Sequence, residues 1–472
     1  MNGLEKLLTR IVQRVNINLR EFDFDVALYI KGLVSFAQLE TVHGFYVVSP
    51  LHTLDFRFSH SNLAGSYFMG KCRTTNAILY KSDIRGDELK KKGSVFKVEG
   101  FAIPLTKNEG IRIEDSFLVK TLVHNYSHDP ESPERFTISN TVSTHFTNIH
   151  GSPTDGSFLG PFVTVDLTTV NDCVIGPYSY IQAGEINHFH INTGTIWVRS
   201  AGHFNFLYRF PKSGLRPYIS FEPGKQPQGI FIDFINTHNR EFEKIFATVN
   251  RQTPVTVPDT ASLDRFAVVL PQTTIAENVL VAQRSFLQNS HLGKGSNAQE
   301  NCFIINSTLA GYNVTAHGAK LIGVDLDTKV FVGFNSFLRG RNCRLKIGEN
   351  SIIMPHTIID SSTPLNIPAD SLVWGLITGK EDLLTNSIPL KKLQKIHSGF
   401  SRGNLIFEGS GNSFVAAFQD RILHILDANG AFYNGKKGKG HAQKNQHISF
   451  NIIQPYSEGK KKGLYPTIVI KP

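Results

Sequence analysis

Residues 275–292 read IAENVLVAQRSFLQNSHL. Ile275, Val281 and Leu287 recur every six residues, and Ala276 and Ala282 follow the first two. A period of six is neither the two-residue alternation of an ordinary strand nor the 3.6-residue repeat of a helix. It suits a parallel coil of short strands. One aliphatic side chain per hexad points inward, a small residue tucks beside it, and the chain then turns a corner. The count continues in VGFNSFLRGRNC with Val332 and Leu338, and in IGENSIIMPHTII with Ile347, Ile353 and Ile359. The first half repeats it more loosely, through Leu63 and Met69, Leu159 and Val165, and Ile175 and Ile181. Gly and Asn supply corner backbone that other residues reach only at a cost.

This pattern resembles the hexapeptide-repeat superfamily. The resemblance implies a mainly β fold, a parallel left-handed β-helix, here in two sections with short flanking helices. Five segments are expected. Residues 1–42 form a helical lead-in, with Leu4, Leu7, Leu8, Ile11, Val12 and Val15 at helical spacing. Residues 43–200 form a first β-helix section and 255–380 a second, which closes on IPADSLVWG. Between them, 201–254 is a non-repeat insertion rich in Gly, Pro and aromatics, with a helix expected in NREFEKIFATVN. Residues 381–472 are a C-terminal extension. It holds an amphipathic helix over 413–430, stopped by Gly430, and the basic loops GKKGKGHAQK and EGKKKG.

Composition narrows the function classes. The chain has 472 residues, 40% of them hydrophobic and 19% charged, so a sizeable core is possible and disorder is not expected. A formal net charge of +10 favours anionic partners, but no nucleic-acid-binding motif accompanies it. Solubilising surface charge is the plainer reading, and no nucleic-acid partner is expected. No apolar run is long enough to span a bilayer, and the N-terminus lacks the apolar core of a signal peptide. Cys72, Cys173, Cys302 and Cys343 are far apart and form no CxxC pair. That argues against a disulfide framework and fits a reducing compartment, so a cytoplasmic location is expected.

The chemistry-bearing residues gather in the first section. DIRGDE (83–88) carries Arg85, Asp87 and Glu88; LVH ends at His124; STHFTNIHG (143–151) supplies His145 and His150 five positions apart. This order resembles the γ-class carbonic anhydrases, a branch of the hexapeptide superfamily. The resemblance implies a catalytic set of Arg85, Asp87 and Glu88, the first two as a structural pair and Glu88 as a proton-transfer acid. It also implies His124, His145 and His150 as ligands of a divalent metal, zinc with iron or cobalt as alternatives, and a homotrimer with sites between adjacent coils. Three neutral imidazoles hold Zn²⁺ and leave one position for water, whose pKa the metal lowers to about 7 for attack on a small substrate such as carbon dioxide. The sequence departs from that pattern. EDSFLVKTLVH has Lys120 and no Gln before His124, LKKKGSVFKVEGFAIPLTKNEG lengthens the path from Asp87, and His128 in HNYSH is an alternative to His124.

The second section echoes the first with Gln299 and His317, but Ile322 stands where another His is expected. His291, His317 and His356, and the pair His188 and His190 in NHFHI, read as structural residues. The rival function is acyl transfer from coenzyme A or acyl carrier protein. There one His, here His145, His150 or His317, is general base on the acceptor, and basic side chains meet the carrier's phosphates. A third reading is a non-catalytic β-helix scaffold.

Overall fold

The computed structural model describes residues 3–41, 43–49, 54–98, 100–130, 132–247, 253–454 and 462–471. The chain forms two compact units. One comprises 1–195, 218–229 and 448–472, and the other 196–217 and 230–447.

The hexad residues make each unit a coil. In the second unit Ile275, Val281, Leu287, Val332, Leu338, Ile347, Ile353 and Ile359 are buried in one continuous apolar cluster. They stack in columns along three parallel sheets. Val281, Ala298, Thr315 and Val332 share one column, Leu287, Ile304, Leu321 and Leu338 the next, and Leu292, Leu309 and Leu326 the third. The strides between columns are six, five and six residues, so one turn takes 17 residues. The first unit is wound tighter. Leu159, Val165, Val170 and Ile175 step by six, five and five, and a turn takes 16 residues. The shorter turn is why the six-residue period reads loosely there. Met69 also misses the inward place expected of it. Phe68 takes that place, in register with Ile84, Val123, Ile149 and Val165, and strand alternation turns Met69 outward.

Amphipathic helices cover outer faces of both coils. Helix α1 (Gly3–Asn18) lays Leu4, Leu7, Ile11, Val12 and Val15 onto the outward column Ile78, Phe117, Val142, Phe158 and Val174. Helix α2 (Ile230–Ala247) begins nine residues before the expected segment. It packs an aromatic stripe on the second coil: Phe231 meets Phe337, Phe234 and His238 meet Phe303, and Phe242 meets Phe286. Helix α3 (Gly411–Ala428) starts on a Ser410 cap, where the hydroxyl accepts from the Ser413 N–H.

The C-terminal extension closes exposed sheet edges. In the first unit Ser449–Ile453 and Ile468–Ile470 pair antiparallel with the early strands Gly44–Val48 and Asp55–Ser59. In the second, Ser387–Pro389 pairs antiparallel with Ser371–Val373. A solenoid end left bare would template further pairing. Among the described residues, no helix is long and apolar enough to cross a membrane.

Candidate active site

The site begins as a three-residue strand pattern repeated turn after turn. Strands β1 (Tyr67–Met69), β2 (Asp83–Arg85), β3 (Leu122–His124), β4 (Asn148–His150), β5 (Thr164–Asp166) and β6 (Tyr180–Gln182) each place an apolar middle residue inward. Their flanking residues therefore face outward. Parallel register then builds one ladder, Met69–Arg85–His124–His150–Asp166, from residues far apart in sequence.

Members of this ladder interact with one another and with the residues beside them. Arg85 and Asp87 form the expected pair: Nε donates to Oδ1 and Nη2 to Oδ2, both at 2.8 Å. Burial pulls against the Arg85 charge and Asp87 overrides it, so the guanidinium pKa lies above its ordinary value. The rings of His124 and His150 sit edge to face, 5.2 Å apart, and Tyr126 lies 5.5 Å from His150. Glu88 Oε1 stands 3.5 Å from His124 Nε2, a contact rather than a hydrogen bond.

Below His150 lies a relay that sequence reasoning missed. His150 Nδ1 is 2.9 Å from Oδ1 of the fully buried Asp166. The Tyr180 hydroxyl donates to Oδ2 of the same carboxylate at 2.5 Å and lies 2.9 Å from Gln182 Oε1. An ionised carboxylate only accepts, so Nδ1 carries the proton and Nε2 the lone pair. The available signal was the turn length, since Asp166 follows His150 by 16 residues, one turn of this coil.

His145 does not join this cluster. It lies at the corner before β4, five residues ahead of His150 and off the ladder. Among the described residues of this unit, no trio of mutually close metal-ligating atoms contains it. Its Nδ1 is buried with no hydrogen-bond partner among the described residues. Burial, with Lys120 nearby, pushes its pKa well below the usual imidazole range. His128 lies past Tyr126, whose carbonyl is 3.1 Å from its Nδ1.

The second unit repeats the principle once. His317 and Glu300 are both buried, with Nδ1 and Oε2 2.5 Å apart in an ion-pair contact. Glu300, not Gln299, is the partner, and it precedes His317 by 17 residues, one turn of that coil. Phe334 packs on the imidazole at 5.3 Å, and Arg421 of α3 lies over the Phe334 ring. Of the expected structural histidines, His188 stacks on Phe22 at 4.4 Å and contacts Glu21. His291 meets Thr274 Oγ1 at 2.7 Å, and His356 is fully buried.

Comparison with known proteins agrees with the coil. The family described as "Hexapeptide repeat including loop" matches residues 101–223. A crystal structure of a protein designated "putative acetyltransferase" from Desulfovibrio desulfuricans G20 is 47% identical, covers 100% of this chain and 99% of its own, and superposes with a TM-score of 0.93. A second structure under the same designation, from Bacillus cereus, is 11% identical, covers 35% of this chain and 91% of its own, and has a TM-score of 0.18. No curated protein matches the sequence. With its hexad columns and a full-length relative at this identity, the chain belongs to the hexapeptide-repeat proteins.

Proposed function

We propose that this protein is an acyltransferase, moving an acyl group from a coenzyme A or acyl-carrier thioester to the hydroxyl or amine of a small molecule. The observation that carries this reading is the His150–Asp166–Tyr180 relay. The designation of the Desulfovibrio relative supports it. His150 Nε2 takes the acceptor's proton as its oxygen or nitrogen attacks the thioester carbonyl. The C–S bond then breaks, and the departing thiolate recovers the proton from the imidazolium. Asp166 holds the productive tautomer and stabilises the imidazolium, and Tyr180 fixes Asp166. A positioned base of this kind contributes about 10²–10⁴-fold. His317, tethered to Glu300, has the same chemical equipment. The test is thiol release from acetyl-CoA across a panel of amines, amino sugars and alcohols. Release above the uncatalysed rate that falls at least about 100-fold in His150→Ala supports the reading. A wild-type protein with no release, or full activity in His150→Ala, overturns it.

One observation favours a second reading. The Arg85–Asp87 pair and the neighbouring rings of His124 and His150 are what supports a metal-centred reading. These two imidazoles would hold a divalent metal, whose contribution would be a bound hydroxide. The third expected ligand, His145, is not beside them within one unit. Metal content of freshly purified protein separates the readings. Stoichiometric zinc, iron or cobalt lost in His124→Ala supports metal chemistry, and metal-free protein that turns over acetyl-CoA excludes it.

A further inference from the structure

The first coil departs most from its 16-residue turn between Arg85 and His124, which pair in register 39 residues apart. The added chain is an arm. Strands Val95–Val98 and Phe101–Pro104 pair antiparallel with each other and form a two-stranded sheet of their own. Insertions in a solenoid map to loops on one face, often the binding face. This arm leaves the coil directly after Glu88, whose carboxylate is 3.5 Å from His124 of the candidate site.

The root of the arm is fixed. Lys71 Nζ donates to the Leu89 and Lys90 carbonyls at 3.0 and 2.9 Å. The Lys90 N–H donates to Glu109 Oε2 at 2.6 Å. The hydroxyl of Ser127, three residues past His124, donates to Oε1 of the same carboxylate. Glu134 accepts from the Thr106 and Lys107 N–H groups at 2.5 and 2.8 Å. Beyond the root the ribbon is bare. Strand alternation puts Val95, Lys97, Ala102 and Pro104 on one face, and all four are exposed. Phe96, on the other face, is buried beneath Lys90 Nζ. Phe101 at the tip is 69% exposed and Val95 45%. A lone two-stranded ribbon has little stability of its own, so large apolar side chains held out on an anchored one read as a contact surface.

The arm also carries charge of one sign. LKKKGSVFKVEGFAIPLTKN (89–108) has five lysines and one glutamate. Lys90 is committed to the root, where Nζ donates to the Ser127 hydroxyl at 3.2 Å. Lys91, Lys92 and Lys97 are exposed, and among the described residues none of them meets a carboxylate within ion-pair distance.

We infer that this arm docks an acidic acyl carrier protein beside the His124–His150 face. The inference rests on the acyltransferase reading and names the partner that brings the donor. Coenzyme A shares the carrier's pantetheine thioester and remains a donor for the chemical step, but a convex ribbon cannot enclose a small molecule. A second copy of this chain brings the same charge, a formal net +10. Two large apolar side chains are too few to anchor in a bilayer. An acidic protein surface answers both features, with carboxylates for the lysines and apolar contact for Phe101 and Val95.

Holo acyl carrier protein titrated into the full chain should bind, and more weakly as salt rises from about 50 to about 500 mM. Affinity should fall about 10-fold or more in the triple variant Lys91→Glu, Lys92→Glu, Lys97→Glu, and likewise in Phe101→Ala. All four side chains are exposed, so the fold survives these changes. Unchanged affinity in both variants overturns the arm, as does a wild-type protein that does not bind the carrier. Binding to phosphatidylglycerol vesicles, or self-association in sedimentation, that is lost in Phe101→Ala while carrier binding persists also overturns it. Transfer from acetylated carrier protein with a KM indifferent to both variants sinks the arm alone. Arm-dependent carrier binding without transfer from the carrier or from acetyl-CoA sinks the reaction alone.

Discussion

Asp166 is the residue on which the chemistry turns. It is fully buried and accepts from both His150 and Tyr180. Asp166→Asn keeps the shape but loses the charge that stabilises the imidazolium, so turnover should fall by about 10²–10⁴-fold while the far-ultraviolet circular dichroism is unchanged. Lys320 gives a pH-dependent counterpart. It is buried beside Phe303, and burial pulls its pKa down to about 8. Below pH 8 the folded and unfolded states both carry the proton. Above it the folded state releases the proton first, so the stability contribution of this site rises with pH up to about 10.5, by at most about 3 kcal/mol. Lys320→Met should therefore be more stable than wild type to urea at pH 7, and the gap should shrink by pH 10. An unchanged gap would contradict the assignment. Arg85, Asp87, His124 and His150 were named from the sequence through a family resemblance, in the same set as His145, which the structure leaves off the ladder. Asp166, Tyr180 and Glu300 were not. Asp166 and Glu300 lie one turn, 16 or 17 residues rather than three full hexads, from their histidines, and Tyr180 lies 14 residues from Asp166.

At the scale of elements, the covering helices and the close-stacked corners set stability. Phe231 of α2 is 1% exposed against Phe337. Phe231→Ala should cost about 3–5 kcal/mol, read as a lowered urea midpoint. Gly70, at the end of β1, has φ +85°, and a Cβ there would meet the Gly86 carbonyl carbon at 2.2 Å. Gly86 leads directly to Asp87. Gly70→Ala should cost about 2–4 kcal/mol and lower activity through displacement of Asp87, and a thermal midpoint equal to wild type would contradict the corner's role. The apolar spacing of α1 was readable because helical periodicity is local. The edge strands Ser449–Ile453 and Ile468–Ile470 were not, because their pairing partners lie some 400 residues earlier, as in the Ser59–Thr467 contact across 408 positions.

At the scale of the molecule, one short sequence rule produced two coils with different windings. The coil was visible in eight aliphatics at hexad spacing, because each must fill the same interior column. Its function was less visible, because columns bring together residues whose spacing depends on the winding. Each unit thereby holds one imidazole against a buried carboxylate, His150 with Asp166 and His317 with Glu300. The most direct test is the rate of thiol release from acetyl-CoA with the acceptor panel, measured for wild type, His150→Ala and Asp166→Asn at pH 7.5. Acceptor-dependent release that falls at least about 100-fold in both variants, with the fold intact, is the predicted result. Release that is absent from wild type, or equal in all three proteins, would contradict it.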